Sequence, residues 1–303
     1  MIETRPNGVL PVLATPFTRD GELDLDGFHA VWSHVLDAGV HGALLFGLAS
    51  EFYKLSDAER AALRHRFLSV AADRQHVVAT ISVTAHATSL AVEEARNAVA
   101  DGATAINVLP PHFLGPSTPR VLAHLEAVLQ AVEVPVVVQY APAQTGTALN
   151  AEMLQALARD HPNLAAVKVE TQPPGPLVTQ LARAPHPIDA IVGYAGLHLP
   201  DAVRRGAVGV QPGCSFVEVY VALWARLEAG STEAFEDLHR RMLPYLSVWM
   251  GSVELIIQVE KTILYRRGLI ASDKCREPGW ALDGHESAMI DRFLNEFSEE
   301  LLL

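Results

Sequence analysis

Lysine is nearly missing from this sequence. Four occur in 303 residues, Lys54, Lys168, Lys261 and Lys274, and the remaining cations are arginines. Positive charge is scarce as a whole, with 23 Lys and Arg against 35 Asp and Glu and a formal net charge of −12. Nucleic-acid binding needs clustered cations to displace counterions from phosphates, so an acidic chain of this kind argues against it. A small anionic substrate is not excluded, because local donors in a pocket decide that. Cysteine is rare too. Cys214 and Cys275 stand far apart, with no CxxC pair and no Cys/His cluster at zinc spacing. They read as two reduced thiols and not as a disulfide framework, and no metal site is expected. No apolar run approaches the ~20 residues that a membrane-spanning helix needs. The first residues lack a basic stretch followed by an apolar one, so no secretory leader is expected. These absences point to a cytoplasmic protein without nucleic-acid or membrane partners.

What is present is a repeated alternation. Half of the residues are hydrophobic and 19% are charged, which allows a sizeable core. Short apolar runs fall at 9–15, 41–47, 77–82, 103–109, 134–140, 164–168, 188–193 and 207–211. They are rich in Val, Ile and Leu without clean polar alternation, as expected of parallel strands buried on both faces. Amphipathic helical patterns separate them. Ser56-Asp57-Ala58-Glu59 is a capping box that opens one helix, and Thr88 or Ser89 is expected to cap the next. Glycines Gly39, Gly102 and Gly206 end helices just before strands. Eight strand-then-helix units within about 230 residues predict an α/β fold, a (β/α)8 TIM barrel. An open doubly wound sheet would place a glycine-rich phosphate loop after its first strand. Here Thr15-Pro16-Phe17 stands there instead. Residues 231–303 read as helices only, around 239–248, 253–267 and 285–301. The expectation is a barrel over 1–230 followed by a C-terminal helical domain over 231–303.

Active sites of such barrels lie at the C-terminal strand ends. Lys168 closes the run Leu164-Ala165-Ala166-Val167. Lysine is almost never buried without a reason, and burial disfavours its ammonium form. A neutral amine there can attack a ketone and form an imine. Pairing with Glu170, or reaching out of the barrel, would explain the same placement. Tyr140 ends the fifth run, next to the sixth in a barrel. A phenol there can shuttle protons, or it can be an ordinary core tyrosine. The loop Gly47-Leu48-Ala49-Ser50-Glu51 follows the second run, and its small residues let backbone N–H groups turn inward to hold a carboxylate.

Taken together these segments resemble the dihydrodipicolinate synthase / N-acetylneuraminate lyase family over essentially the whole chain. The marks are Thr15-Pro16-Phe17, Gly47–Glu51, Tyr140-Ala141-Pro142 followed by Thr145-Gly146, Lys168, and Gly206-Ala207-Val208-Gly209-Val210. The resemblance implies Schiff-base chemistry on a pyruvate-like 2-keto acid, with Lys168 as the imine-forming lysine and Tyr140 as the proton shuttle. It implies that Ala49 and Ser50 hold the keto-acid carboxylate through backbone N–H groups and that Gln211 lines the same pocket. No cofactor is implied, because the imine is the electron sink, and a homo-oligomer, dimer or tetramer, is expected. Departures matter as well. Leu48 and Phe113 replace a relay threonine and a second tyrosine, with His112 adjacent, and Gln144 replaces an arginine that holds an aldehyde substrate's carboxylate. The stretches Gln139–Leu149 and Lys168–Thr171 look nearer the branch acting on 2-keto-3-deoxy sugar acids, whose members cleave or dehydrate them. For dehydration His112, Ser82 and Glu170 are candidate bases. Two alternatives stay open: dihydrodipicolinate synthase proper, and a catalytically inactive barrel with a binding or regulatory role.

Overall fold

The computed structural model describes residues 5–74 and 76–301. Eight parallel strands alternate with helices. The strands are β1 (Gly8–Val9), β2 (Gly42–Leu45), β3 (Val78–Val83), β4 (Ala105–Val108), β5 (Val136–Tyr140), β6 (Leu164–Val169), β7 (Asp189–Val192) and β8 (Ala207–Val210). Their order in the sheet is β1-β8-β7-β6-β5-β4-β3-β2. β1 pairs with β8, and the His41 N–H just before β2 donates to the Val9 carbonyl at 3.1 Å, which brings the two ends of the sheet round to each other. The result is a (β/α)8 barrel. Nearly every strand residue is buried, which is why the runs carry no polar alternation. Inside, Leu10, Val137, Ala166 and Ile191 form one packed cluster with Val208 against it.

The first strand is shorter than its apolar run, 9–15. Pro11 has no N–H to give the ladder, so regular pairing stops at Val9 and resumes only as an isolated bridge between Val12 and Gly213.

The helices are α1 (Leu25–Asp37), α2 (Asp57–Ala71), α3 (Thr88–Ala100), α4 (Thr118–Ala131), α5 (Pro142–Thr145), α6 (Ala151–Asp160), α7 (Gly175–Ala182), α8 (Leu199–Arg204), α9 (Val217–Glu228), α10 (Thr232–Trp249), α11 (Val253–Arg266) and α12 (Gly284–Glu296). The Ser56–Glu59 capping box is formed as expected. α3 differs: its N-cap is Ala87, and Thr88 lies inside the helix with its hydroxyl 3.1 Å from His124 Nδ1. Glycines Gly102 and Gly206 adopt φ of 109° and 106° after their helices, a conformation that side chains resist.

The chain forms two compact units. One holds the residues up to Leu10, 41–44 and 74–211, and so nearly all of the strands with α3 to α8. The other holds 11–40, 45–73 and the residues from 212 on, with α1, α2 and α9 to α12. Within the second, Trp32 of α1 stacks on Phe67 of α2 at 5.0 Å and donates its indole N–H to the Phe67 carbonyl. A cluster of six aromatic residues, Phe216, Tyr220, Tyr245, Trp249, Phe293 and Phe297, ties α9, α10 and α12 together. Among the described residues no helix is long and apolar enough to cross a membrane.

Candidate active site

Polar side chains inside a parallel barrel are costly unless they pair. This barrel carries a connected line of them across four adjacent strands. Ser82 on β3 registers with Asn107 on β4, and Gln139 on β5 registers with Lys168 on β6. All four are buried. Asn107 Nδ2 donates to Ser82 Oγ at 3.0 Å and to Gln139 Oε1 at 3.1 Å. Gln139 Nε2 donates to Glu170 Oε2 at 2.7 Å. Glu170 Oε1 lies 3.3 Å from Lys168 Nζ. The amine therefore ends a chain of hydrogen bonds that starts three strands away.

Local sequence explains the order. Residues two apart on a strand share a face, so Lys168 and Glu170 project together, and Gln139 follows Val137 of the inner cluster. Glu170 has room because Gly193, just beyond β7, carries no side chain. A Cβ at Gly193 would lie 2.4 Å from Glu170 Oε1. Tyr140, the last residue of β5, is buried and registers with Val169 instead of Lys168. Its carbonyl accepts the Glu170 N–H at 2.9 Å, and its hydroxyl makes no hydrogen bond to another described residue. Gln211 is buried, its N–H bonds the Val192 carbonyl, and its side-chain oxygen is unpaired among the described residues.

Three loop residues singled out in the sequence fall as follows. Gln144 donates to the Tyr194 hydroxyl at 2.7 Å, so the position expected of an arginine carries a neutral amide bound to a phenol. Phe113 is 83% exposed at a loop tip and makes no relay with Tyr140. His112 packs against His86 at 4.6 Å between ring centroids, and its Nδ1 lies 3.0 Å from the Pro110 carbonyl. Burial, and then the nearby His112, hold His86 below the usual histidine range.

The Gly47–Glu51 loop belongs to the second unit. Leu48–Ser50 forms one 3-10 turn, and Glu51 ends it in the left-handed conformation at φ 50°. The Ser50 N–H is already used: it donates to the Gly47 carbonyl at 2.9 Å. The Ser50 hydroxyl donates to the Leu13 carbonyl at 2.6 Å, and Thr15 Oγ1 donates to the Ser50 carbonyl at 2.7 Å. Ser50 thus fastens the loop, and of the two expected donors only the Ala49 N–H has no backbone partner among the described residues.

Sequence reasoning passed over the second buried lysine. Lys261 on α11 is fully buried, more so than Lys168. It pairs with the Glu51 carboxylate, donates to the Lys274 carbonyl at 3.0 Å and lies 4.1 Å from the Phe17 ring centroid. Lys54 joins Glu51 at 3.2 Å, and the Arg276 N–H does so as well. Burial lowers the pKa of Lys261, opposed by the Glu51 charge. Its neighbour Glu260 meets no cation among the described residues. It is wholly buried, accepts the Ser215 N–H at 2.8 Å, and fills the space that a Cβ on Gly213 would occupy. Burial pushes its carboxyl up to about 7.

Comparison with known proteins bears on the family and the fold. The profile of the dihydrodipicolinate synthetase family matches residues 5–296. 4-Hydroxy-tetrahydrodipicolinate synthase 2 of Streptomyces coelicolor is 33% identical over 242 residues, 78% of each chain. The 4-hydroxy-tetrahydrodipicolinate synthase of Acidothermus cellulolyticus is 35% identical over 253 residues, 82% of this chain and 80% of that one. The solved structure of the 4-hydroxy-tetrahydrodipicolinate synthase from Methylacidiphilum fumariolicum superposes with a TM-score of 0.87 over 98% of both chains. At 20% identity it bears on the fold alone.

Proposed function

The chain belongs to the dihydrodipicolinate synthetase family, whose members are lyases, and on that premise we propose that it dehydrates or cleaves a 2-keto-3-deoxy sugar acid through an imine on Lys168. One observation carries the reading: the buried Lys168 amine faces the Glu170 carboxylate at 3.3 Å. A carboxylate at that distance can take the proton that the amine must lose as it attacks the C2 carbonyl. The N–C bond forms and one N–H bond breaks; that proton, handed on by Glu170, and a second drawn from solvent reach the carbonyl oxygen through Tyr140, so that it leaves as water, the nitrogen ends as the iminium and Glu170 is ionised again. The Ala49 N–H, with Ser50 holding its turn, is a donor able to hold a carboxylate, and Gln211 is assigned to the pocket wall beside Lys168.

The imine draws electrons from C3. Glu170 can then accept the C3 proton, so that the C–H pair becomes the enamine bond, and return a proton to the C4 hydroxyl as it departs as water. That assigns dehydration to Glu170 in preference to Ser82, whose hydroxyl accepts from Asn107, and to His112, whose Nδ1 meets a backbone carbonyl. In the cleavage variant C3–C4 breaks instead, with Tyr140 as the base. No cofactor is needed in either course. A homo-oligomer, dimer or tetramer, and a cytoplasmic location complete the proposal.

A second reading follows from the relatives' name, which assigns them to 4-hydroxy-tetrahydrodipicolinate synthesis. Gln144 bound to Tyr194 weighs against it, because an amide supplies no cation for an aldehyde-acid's carboxylate. The deciding experiment is borohydride trapping with pyruvate, followed by assays on 2-keto-3-deoxy sugar acids. One stable adduct per chain at Lys168, absent in Lys168→Ala, is expected. An adduct elsewhere, or none, removes the imine reading. Free pyruvate as product identifies cleavage, and a dehydrated keto acid identifies dehydration.

A further inference from the structure

The hydrogen bonds along the line Ser82–Asn107–Gln139 are lopsided. Asn107 is fully buried and uses its Nδ2 twice, toward Ser82 Oγ and Gln139 Oε1. Its Oδ1 has no partner among the described residues. Gln139 then has one orientation open to it: Oε1 faces Asn107, and Nε2 faces Glu170 Oε2 at 2.7 Å. That orientation suits an ionised Glu170, which only accepts hydrogen bonds. It does not suit a protonated Glu170, which must donate on one oxygen.

A primary amide has a donor end and an acceptor end of nearly equal shape. If Asn107 and Gln139 each rotate half a turn about the bond to the amide, every contact in the line is kept with its polarity reversed. Ser82 Oγ–H and the Gln139 Nε2 then donate to Asn107 Oδ1, and Gln139 Oε1 faces Glu170 ready to accept. No atom outside the line moves, and each state leaves one end of the Asn107 amide unpaired.

We propose that the Asn107–Gln139 amide pair is a two-state positioning element that follows the proton on Glu170, donating to its carboxylate before C3 deprotonation and accepting from its acid afterwards. The inference rests on the reading of Glu170 as the base at the Lys168 imine. In the step itself the C3–H bond breaks, an O–H bond forms on Glu170 and the electron pair enters the C2–C3 bond. The pair supplies no proton. It keeps a matched hydrogen bond on either side of the transfer, where a fixed donor would oppose the product state.

The test uses pyruvate as the probe and follows exchange of its C3 protons for solvent deuterium by NMR, with borohydride trapping run in parallel. Wild type exchanges C3, whereas Glu170→Gln traps pyruvate more slowly, because the amine loses its proton acceptor, and does not exchange C3 even when trapping is complete. Gln139→Met, similar in length and unable to bond, slows exchange roughly 10- to 100-fold, the size expected for losing a hydrogen bond to a charged group. Its trapping still ends at one adduct per chain. Asn107→Asp has no donor, so it fixes Gln139 with its acceptor toward Glu170. Asn107→Leu fixes neither state. Asn107→Asp is slow on either view; two-state behaviour requires Asn107→Leu, whose Gln139 can still turn, to exchange faster than Gln139→Met, and rigid positioning by Asn107 requires the two to be equally slow. Exchange unchanged in Gln139→Met, or Asn107→Leu as slow as Gln139→Met, overturns the amide pair and leaves Glu170 as the base. Exchange absent in wild type, or unchanged in Glu170→Gln, overturns the reading of Glu170 and the inference with it.

Discussion

A buried lysine is the most informative residue type in this chain, yet burial alone does not say what it is for. Lys168 and Lys261 are both buried, and their partners separate them. Lys168 meets Glu170, which is 12% exposed at the end of a strand. Lys261 meets Glu51 where neither side chain is exposed, and a backbone carbonyl and an aromatic face complete its surroundings. The first arrangement can open to a substrate, and the second is closed. Lys168 was legible because it ends an apolar strand run. Lys261 was not, because a helix hides one buried position among several and its partner Glu51 lies 210 places away in sequence. The amides were legible in principle: Asn107 and Gln139 interrupt apolar runs at inward positions. Glu260 carries the residue-scale prediction. Its folded pKa, about 7, lies above the ordinary 4.5, so the unfolded chain loses this proton first as pH rises. Stability is therefore full below about pH 4.5 and falls as pH climbs through about 7. The difference amounts to about 3 kcal/mol at most. Glu260→Gln removes that titration. Urea midpoints should rise for the variant at pH 8 and match wild type at pH 5, and equal shifts at both would refute the assignment.

At the scale of elements, local rules held where the signal was local. The Ser56–Glu59 box forms, with Ser56 Oγ accepting the Glu59 N–H and the Glu59 carboxylate accepting the Ser56 N–H at 2.9 Å. Glu59 does a second job that no local rule reveals. Its carboxylate also receives the Arg276 guanidinium, 217 residues on, and this holds its pKa down at about 2. Thr88 fails as a cap for a related reason. Its hydroxyl is spent on His124 of α4, a tertiary contact that outbids the local one. The two ends of the capping box should therefore differ when cut. Ser56→Ala removes a cap alone and should cost about 1 kcal/mol. Glu59→Gln keeps an oxygen for the Ser56 N–H but loses the charge that faces Arg276, and its cost should shrink as pH falls toward 2. Guanidinium is unsuitable for that comparison because its ionic strength screens the pair, so urea melts at pH 7 and pH 3 are the measurement. A Glu59→Gln penalty that is the same at both pH values would mean that Arg276 contributes nothing.

For the whole molecule, the alternation of strands and helices was enough to predict the barrel, because eight buried runs at regular spacing have few other solutions. The chain's division was harder to read. A boundary at residue 230 treats 231–303 as an appendage and predicts that 1–230 folds without it. The side chains argue otherwise. Phe216 and Tyr220, both before that boundary, bury their rings against Trp249 and Phe293 from beyond it. Ser215 meets the same dependence through its backbone. Its N–H is taken by Glu260 and its carbonyl by Arg267, which also pairs with Glu218. Cutting at 230 would expose two fully buried aromatic side chains and leave Glu218 without its guanidinium. Each large aromatic stripped of its neighbours costs about 3–5 kcal/mol. A breach of several such contacts reaches the whole stability of an ordinary domain, about 5–15 kcal/mol. The truncated chain 1–230 is therefore expected to be insoluble or to lack a cooperative thermal transition. Phe293→Ala in the full chain should keep the fold and lower its stability by about 3–5 kcal/mol. A soluble 1–230 fragment with a sharp transition and pyruvate trapping at Lys168 would show instead that the helical stretch is an independent domain.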